Sequence, residues 1–473
     1  MIVPKVAICP ICGKKTYLRI EDGGYLNEYP IRVHCMHCRA LIRGIYVMST
    51  SSDLRGLHLF NAKTEDCDVD TSSEKIRNAD YVVDISGELP CKKVRVFDGN
   101  IIKSTPFLEA VDNVESIENR IRRLSYFTNN MEEWKIRKST AFQLLDEGSI
   151  EFIAIALGNK MGEYLYQCDN YSKSLHCLQE VVFQETKYIF MEPNQDSCVT
   201  NLLNELSKID KNLIHQFVER MGGIQEIILS YRKTIEIFSG FMGIYPNLLP
   251  AETFLRFKDK SNANIGIATC SFSDIKTFYQ DAYESLLSLM YIPVCVDNII
   301  LRGNYQVFND VFISIFKQKK FSEIADDYNR YLVLDNGMKL SKIKNSEPLQ
   351  RMVGVPANRF LRNGIGHNNI KYDGITQMIK VFDTQNHGVV KLEKSLMDMA
   401  IDCLGLAKSA VLLSEIILFI LRQELRSENI NSIIHPRFYK GAEPNGKCPC
   451  GSNIKYKKCC KVEIERILSN ITV

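Results

Sequence analysis

The stretch "FLRNGIGHNN", Phe360–Asn369, decides how the C-terminal half of this chain is read. It holds an arginine, three asparagines, two glycines and a histidine within ten positions. Spacing alone does not settle its role, because Arg32 and His37 repeat the interval of Arg362 and His367 in a different setting. On a helix, Asn363 and His367 lie one turn apart on a common face. Arg362 lies about 140° around from His367, and its long side chain can swing to the same side. Histidine works as acid or base near neutral pH, and arginine offers a planar fork to phosphate oxygens. The other reading of these residues is a helix end: Gly366 terminates, His367 caps carbonyls and Arg362 is a surface charge.

The surroundings are helical. "SFSDIKTFYQDAYESLLSLMY" (Ser271–Tyr291) opens with Ser and Asp as N-cap candidates, and Pro293 is expected to kink or end that helix. "FSEIADDYNRYLVL" (Phe321–Leu334) reads as another helix. "VPANRFLRNGIGH" reads as a short helix with Pro356 near its first position. A small hairpin is expected around Asp373–Gly374, and Val390–Leu425 reads as the longest apolar helix. Its most apolar part, Ser409–Gln423, is too short to cross a bilayer and reads as buried. Upstream, Val114, Ile117, Ile121 and Leu124 recur at helical spacing. Helical patterns continue to about Tyr245 and break at Pro246 and Pro250. "KDKSNANIG" (Lys258–Gly266) reads as a polar linker and domain boundary.

An Arg-Asn pair, with four residues between Arg and His, in a helical C-terminal region resembles the HEPN superfamily of ribonucleases. Arg362, Asn363, Gly364, Gly366 and His367 carry the resemblance, which extends over about Ser271–Leu425. It implies a helical bundle, a composite active site in a homodimer and metal-independent cleavage of RNA. Products would carry 2′,3′-cyclic phosphate and 5′-hydroxyl ends. His367 would be the acid/base, Arg362 would stabilise the phosphate, and Asn363 would orient either. The chemistry is coherent, since RNA supplies its own 2′-hydroxyl nucleophile. Gly364 and Gly366 would let two helices approach closely. Arg359 could add a phosphate contact or be a solvated charge. The resemblance further suggests a toxin or anti-phage effector. The rival reading is a non-catalytic adaptor that docks on RNA, a ribosome or a protein partner.

The 16 cysteines fall into two terminal clusters and eight single positions. Cys9, Cys12, Cys35 and Cys38 form two knuckles in a β-rich start that reads as a zinc ribbon, with His34 and His37 beside the second. "PNGKCPCGSNIKYKKCC" (Pro444–Cys460) supplies Cys448, Cys450, Cys459 and Cys460. It looks like the SEC-C motif, a small zinc module appended to many proteins. In many members the last ligand is His, where this chain has Cys460. The resemblance implies docking, because a closed four-ligand site has no open position. Lys455, Lys457, Lys458 and Lys461 would offset the thiolate charge or touch an acidic partner. Two structural Zn²⁺ ions are therefore expected, with disulfides as the competing reading.

The 473 residues exceed what one core usually supports. The expected order is a zinc ribbon (1–48), a β-rich region (49–112), a helical sensor or regulatory domain (113–265), the HEPN-like domain (266–430) and the terminal zinc module (431–473). A mainly α protein results. Net charge is +3, so any nucleic-acid site must be local. No P-loop and no His-Glu-x-x-His stretch occurs, and Glu185–Lys187 only mimics the end of a restriction-nuclease motif. With no signal peptide read at the start, a cytoplasmic location without membrane contact is expected.

Overall fold

The computed structural model describes residues 1–22, 26–48, 55–66, 74–114, 131–149, 152–157, 175, 178–179, 206, 209–262, 264–383, 385–386, 388–427, 439, 441–450, 452 and 454–469. The helix expected through Ile117, Ile121 and Leu124, most of Ser174–Phe190, and the Glu185–Lys187 triplet lie outside the described residues. Contacts group the chain into two compact units. Unit 1 comprises Met1–Asn129, Ser239–Asp281 and Asn358–Gly405, and unit 2 comprises Asn130–Phe238, Ala282–Ala357 and Leu406–Val473. The sequence boundaries expected after residues 48, 112, 265 and 430 follow composition. The units instead divide within the helices Ile224–Phe254, Phe272–Leu289 and Leu396–Ser427. The Lys258–Gly266 linker falls inside unit 1.

Unit 1 carries the β-structure. Strand β1 (Ile2–Ile8) pairs antiparallel with β2 (Lys15–Glu21), Val6 opposite Tyr17. The strands β3 (Glu28–His34), β4 (Leu41–Val47) and β5 (Gly56–Leu59) form a separate meander. The strands β6 (Lys63–Asp66), β7 (Tyr81–Ile85), β8 (Cys91–Lys92) and β9 (Arg95–Val96) follow. The first sheet has the order β6-β1-β2-β7-β9, with β7 parallel to β2. Its apolar face gathers Val6, Tyr17, Ile76, Ala79 and Val82 under Phe97 and Ile102. At the paired positions Arg19 and Asp84, a buried ion pair joins β2 to β7. Arg95 reaches the same carboxylate at 3.1 Å, and the Arg19 Nη2 group donates to the carbonyls of Ile102 and Ser104. Lys63–Asp66 is polar and acidic, and it is strand because it finds a partner in β1.

The strand β10 (Ile265–Gly266) pairs with β8. The strands β11 (Ile370–Asp373), β12 (Met378–Phe382) and β13 (Val390–Ser395) form a third antiparallel sheet. The hairpin around Asp373–Gly374 is therefore present. The residues Val390–Ser395, expected as helix, are β13, which pairs with β12 and shifts register at Val381/Phe382. The apolar helix begins at Leu396 and runs 32 residues to Ser427. It is long and apolar enough to cross a membrane, where Ser409–Gln423 alone read as too short, but 83% of its most apolar stretch is buried inside the protein, in line with the buried helix expected.

One proline expectation needs correction and another holds. The helix Ile224–Phe254 continues through Pro246 and Pro250. Each proline forfeits one backbone hydrogen bond. The segment nevertheless buries Tyr245, Leu248, Leu249 and Ala251 completely, and the Tyr245 hydroxyl donates to Glu252 at 2.8 Å. Pro293 does interrupt its helix, as expected, by disrupting the turn before it. The break falls at Met290, between Phe272–Leu289 and Tyr291–Arg302.

Unit 2 is helical among its described residues. It includes Met131–Glu147, Lys211–Met221, Tyr291–Arg302 and a run of short helices from Asp310 to Met352. The Phe321–Leu334 segment is two short helices. Asp326 caps the second, accepting from the Asn329 N–H at 2.8 Å, so a local side-chain bond interrupts the expected single helix.

Candidate active site and cysteine centres

The motif helix, Arg359–Gly366, starts from Asn358, whose side chain accepts from the Phe360 and Leu361 N–H groups. Pro356 stands outside the helix, so Asn358 rather than proline sets the start. The Asn358 N–H in turn donates to the Tyr279 hydroxyl at 2.8 Å. Leu361 and Gly364 form the buried face. A Cβ on Gly364 would lie 2.7 Å from Val381 Cγ1 and 2.9 Å from Ile370 Cγ1. Gly364 therefore lets the helix sit against the β11–β12 hairpin, where the sequence suggested approach of a second helix. The motif rests on a three-stranded sheet.

Arg362, Asn363, Gly366 and His367 occupy the arc turned away from that sheet, about 140° wide on helix geometry. The Arg362 Nη1 group donates to Asn363 Oδ1 at 3.2 Å. The same nitrogen lies 3.9 Å from where a Cβ on Gly366 would stand, so the guanidinium runs along the helix toward His367. The Gln280 amide nitrogen is equally close to that point. Gln280 had no signal in the sequence, since it lies on a different helix. His367 and Asn363 are exposed. Arg359 is exposed too and lies over the Phe360 ring at 4.8 Å.

The helix end has its own explanation. His367 stands at the C-cap, and its backbone N–H donates to the Asn363 carbonyl at 2.9 Å. Asn368 takes φ 54°, its N–H facing the Ile365 carbonyl at 3.4 Å, and the Asn369 N–H reaches the Gly364 carbonyl at 2.9 Å. This is a Schellman closure with asparagine in the left-handed position. The backbone therefore caps the helix and leaves the His367 ring in solvent.

Each four-cysteine group converges, its ligand atoms all within 4.8 Å of one another, and every one of these thiols is unbridged. In unit 1 the knuckles are turns of one design. The Cys9 and Cys35 N–H groups donate to the Lys14 and Ala40 carbonyls, and both turns reach a left-handed residue, Gly13 (φ 69°) and Arg39 (φ 65°). The Cys9 and Cys38 sulfurs stand 3.4 Å apart, and Cys12 and Cys35 3.6 Å. Burial pushes the Cys9 thiol up, but the Cys12 and Ile11 N–H groups outweigh it and hold it down at about 7. Burial pushes Cys35 up to about 12. Sulfurs this close suit a tetrahedral thiophilic cation, whose charge would let all four ionise.

His34 is not part of this centre. Its ring meets Tyr372 edge-on at 5.8 Å and fills the space over Gly374, where a Cβ would come within 2.3 Å. With the Arg39–Asp373 pair at 2.8 Å, this ties the second knuckle to the β11–β12 hairpin.

The second group, Cys448, Cys450, Cys459 and Cys460, lies in unit 2. Cys450 and Cys459 are 3.5 Å apart, and the Ser452 hydroxyl is 3.1 Å from the Cys459 sulfur. Hydrogen bonding with Cys448 holds the Cys459 thiol down at about 6. Tyr456 stacks on Tyr439 behind it, and Lys455, Lys457 and Lys458 face solvent. Lys461 pairs with Glu465. Comparison of the chain with protein-family models, with curated proteins and with solved structures finds no match.

Proposed function

We propose that the chain is a metal-independent endoribonuclease of HEPN type, with Arg362, Asn363 and His367 as its active site. The observation that carries this reading is the Arg362 guanidinium laid along the helix toward a solvent-exposed His367. A phosphodiester bridging the two would meet a cation at its oxygens and an imidazole at the 2′-hydroxyl or the leaving oxygen. One copy offers one such histidine, so a homodimer with two facing motifs would supply both proton transfers. Asn363, holding Arg362 through its amide oxygen, positions the cation. The two cysteine groups would each hold a structural Zn²⁺. The terminal one, SEC-C-like, would dock a protein or ribosome partner. A toxin or anti-phage role in the cytoplasm fits such an activity.

The test uses purified protein with labelled RNA, an all-deoxy control, and buffers with and without added Mg²⁺. The reading expects RNA to be cut, DNA spared, no need for Mg²⁺, and 2′,3′-cyclic phosphate at the new ends. Cleavage that needs Mg²⁺ and leaves 3′-hydroxyl ends would refute it. The adaptor reading draws on a specific observation as well: His367 stands where a capped helix ends. It predicts tight RNA or ribosome binding without cleavage.

A further inference from the structure

The helix Lys211–Met221 presents His215 and Glu219 one turn apart on its exposed face. Glu424, on the helix Leu396–Ser427 within the same unit, comes from the buried side at 5% exposure. His215 Nδ1 and Glu424 Oε1 are 2.8 Å apart, and the ligand atoms of all three residues lie within 4.8 Å of one another.

His215 pairs with Glu424 and also draws Glu219, so that when protonated it is one cation facing two carboxylates. Glu219 brings a second carboxylate beside a buried one, and like charges at that distance disfavour each other. The neighbouring cation Arg220 is turned elsewhere, to Asp326 at 3.0 Å and over the Tyr328 ring. A neutral imidazole with two carboxylates carries a charge of −2, which one divalent cation cancels. One nitrogen and two oxygen donors suit a borderline first-row ion better than the thiolate groups do. The exposed His215 and Glu219 leave the remaining coordination positions to water.

We propose that His215, Glu219 and Glu424 form a solvent-open binding site for one first-row divalent cation, of the Mn²⁺ or Zn²⁺ class. This site is separate from both cysteine groups and independent of the ribonuclease reading. In it, the cation takes the place of the proton between His215 and Glu424 and ties the two helices together.

The experiment titrates full-length, zinc-replete protein with Mn²⁺, followed by electron paramagnetic resonance, beside His215→Ala and Glu219→Gln variants. Both altered side chains are exposed, and circular dichroism and thermal melts check that the fold is kept. The proposal expects saturable binding of one Mn²⁺, displaced by Zn²⁺. Loss of partners beyond the ligands already weakens metal sites about 10–100-fold, so loss of a ligand is expected to weaken this one by at least about ten-fold in each variant. Absence of saturable binding to the parent, or unchanged affinity in either variant, overturns it.

Discussion

Two glycines in the motif make opposite predictions. Gly364→Ala forces a methyl group into Val381 and Ile370 and should cost about 1–3 kcal/mol of stability by overpacking. Gly366→Ala meets nothing closer than 3.9 Å and should leave stability unchanged or raise it by up to about 1 kcal/mol. Thermal melts of the two variants separate these outcomes; equal destabilisation would contradict the packing described. Asp84 is a third test. Its buried carboxylate holds both Arg19 and Arg95, so Asp84→Ala strands Arg19 at 3% exposure and should cost about 3–5 kcal/mol in urea unfolding. None of this could be read beforehand. Gly364 looked like a helix-contact glycine because the residues it faces, Ile370 and Val381, come close only once the hairpin folds back.

At the level of elements, the double asparagine after His367 closes the motif helix, and φ 54° at Asn368 is a conformation a β-branched residue tolerates poorly. Asn368→Val should therefore cost about 1–2 kcal/mol, while Asn368→Gly should not, as melts of both would show. The turn joining β12 to β13 rests on Asp383. A hydrogen bond from Lys391, joined by the Asn386 and Gln385 N–H groups, holds its carboxyl down from 3.8 to about 2. The lowered value means its contribution is present above pH 3.8 and is lost as the pH falls through about 2. Amide exchange across β12 and β13 should rise over that window in the parent but not in Asp383→Asn; identical profiles would count against this. Elements with strong local signals were legible: the two cysteine groups, the hairpin at Asp373–Gly374 and the apolar helix. Elements decided by distant partners were not. Val390–Ser395 carries a run that continues smoothly into helix, and only pairing with β12 makes it strand. Pro246 and Pro250 read as breakers because their local cost is visible in sequence and the burial that offsets it is not.

At the scale of the whole molecule, each compact unit is assembled from three separated stretches, so no linear scan of composition could have drawn their limits. Within unit 1 this interleaving joins the second cysteine knuckle to the motif's hairpin through Arg39–Asp373 and His34–Tyr372. Cys38→Ser should therefore speed amide exchange in β11 and β12 as well as in β3 and β4. Faster exchange confined to β3 and β4 would show that the hairpin stands without the knuckle. For the proposed site, the motif suggested Arg362, Asn363 and His367, while the supporting sheet and the nearby Gln280 emerged only from the fold. The central claim is that these residues cut RNA. It is tested most directly by the cleavage rate of Arg362→Ala and His367→Ala protein, matched to the parent in thermal stability. Proton transfer by a positioned side chain contributes about 10²–10⁴-fold, so the account predicts at least about a hundred-fold loss in each. Cleavage by either variant at the parent's rate would contradict it.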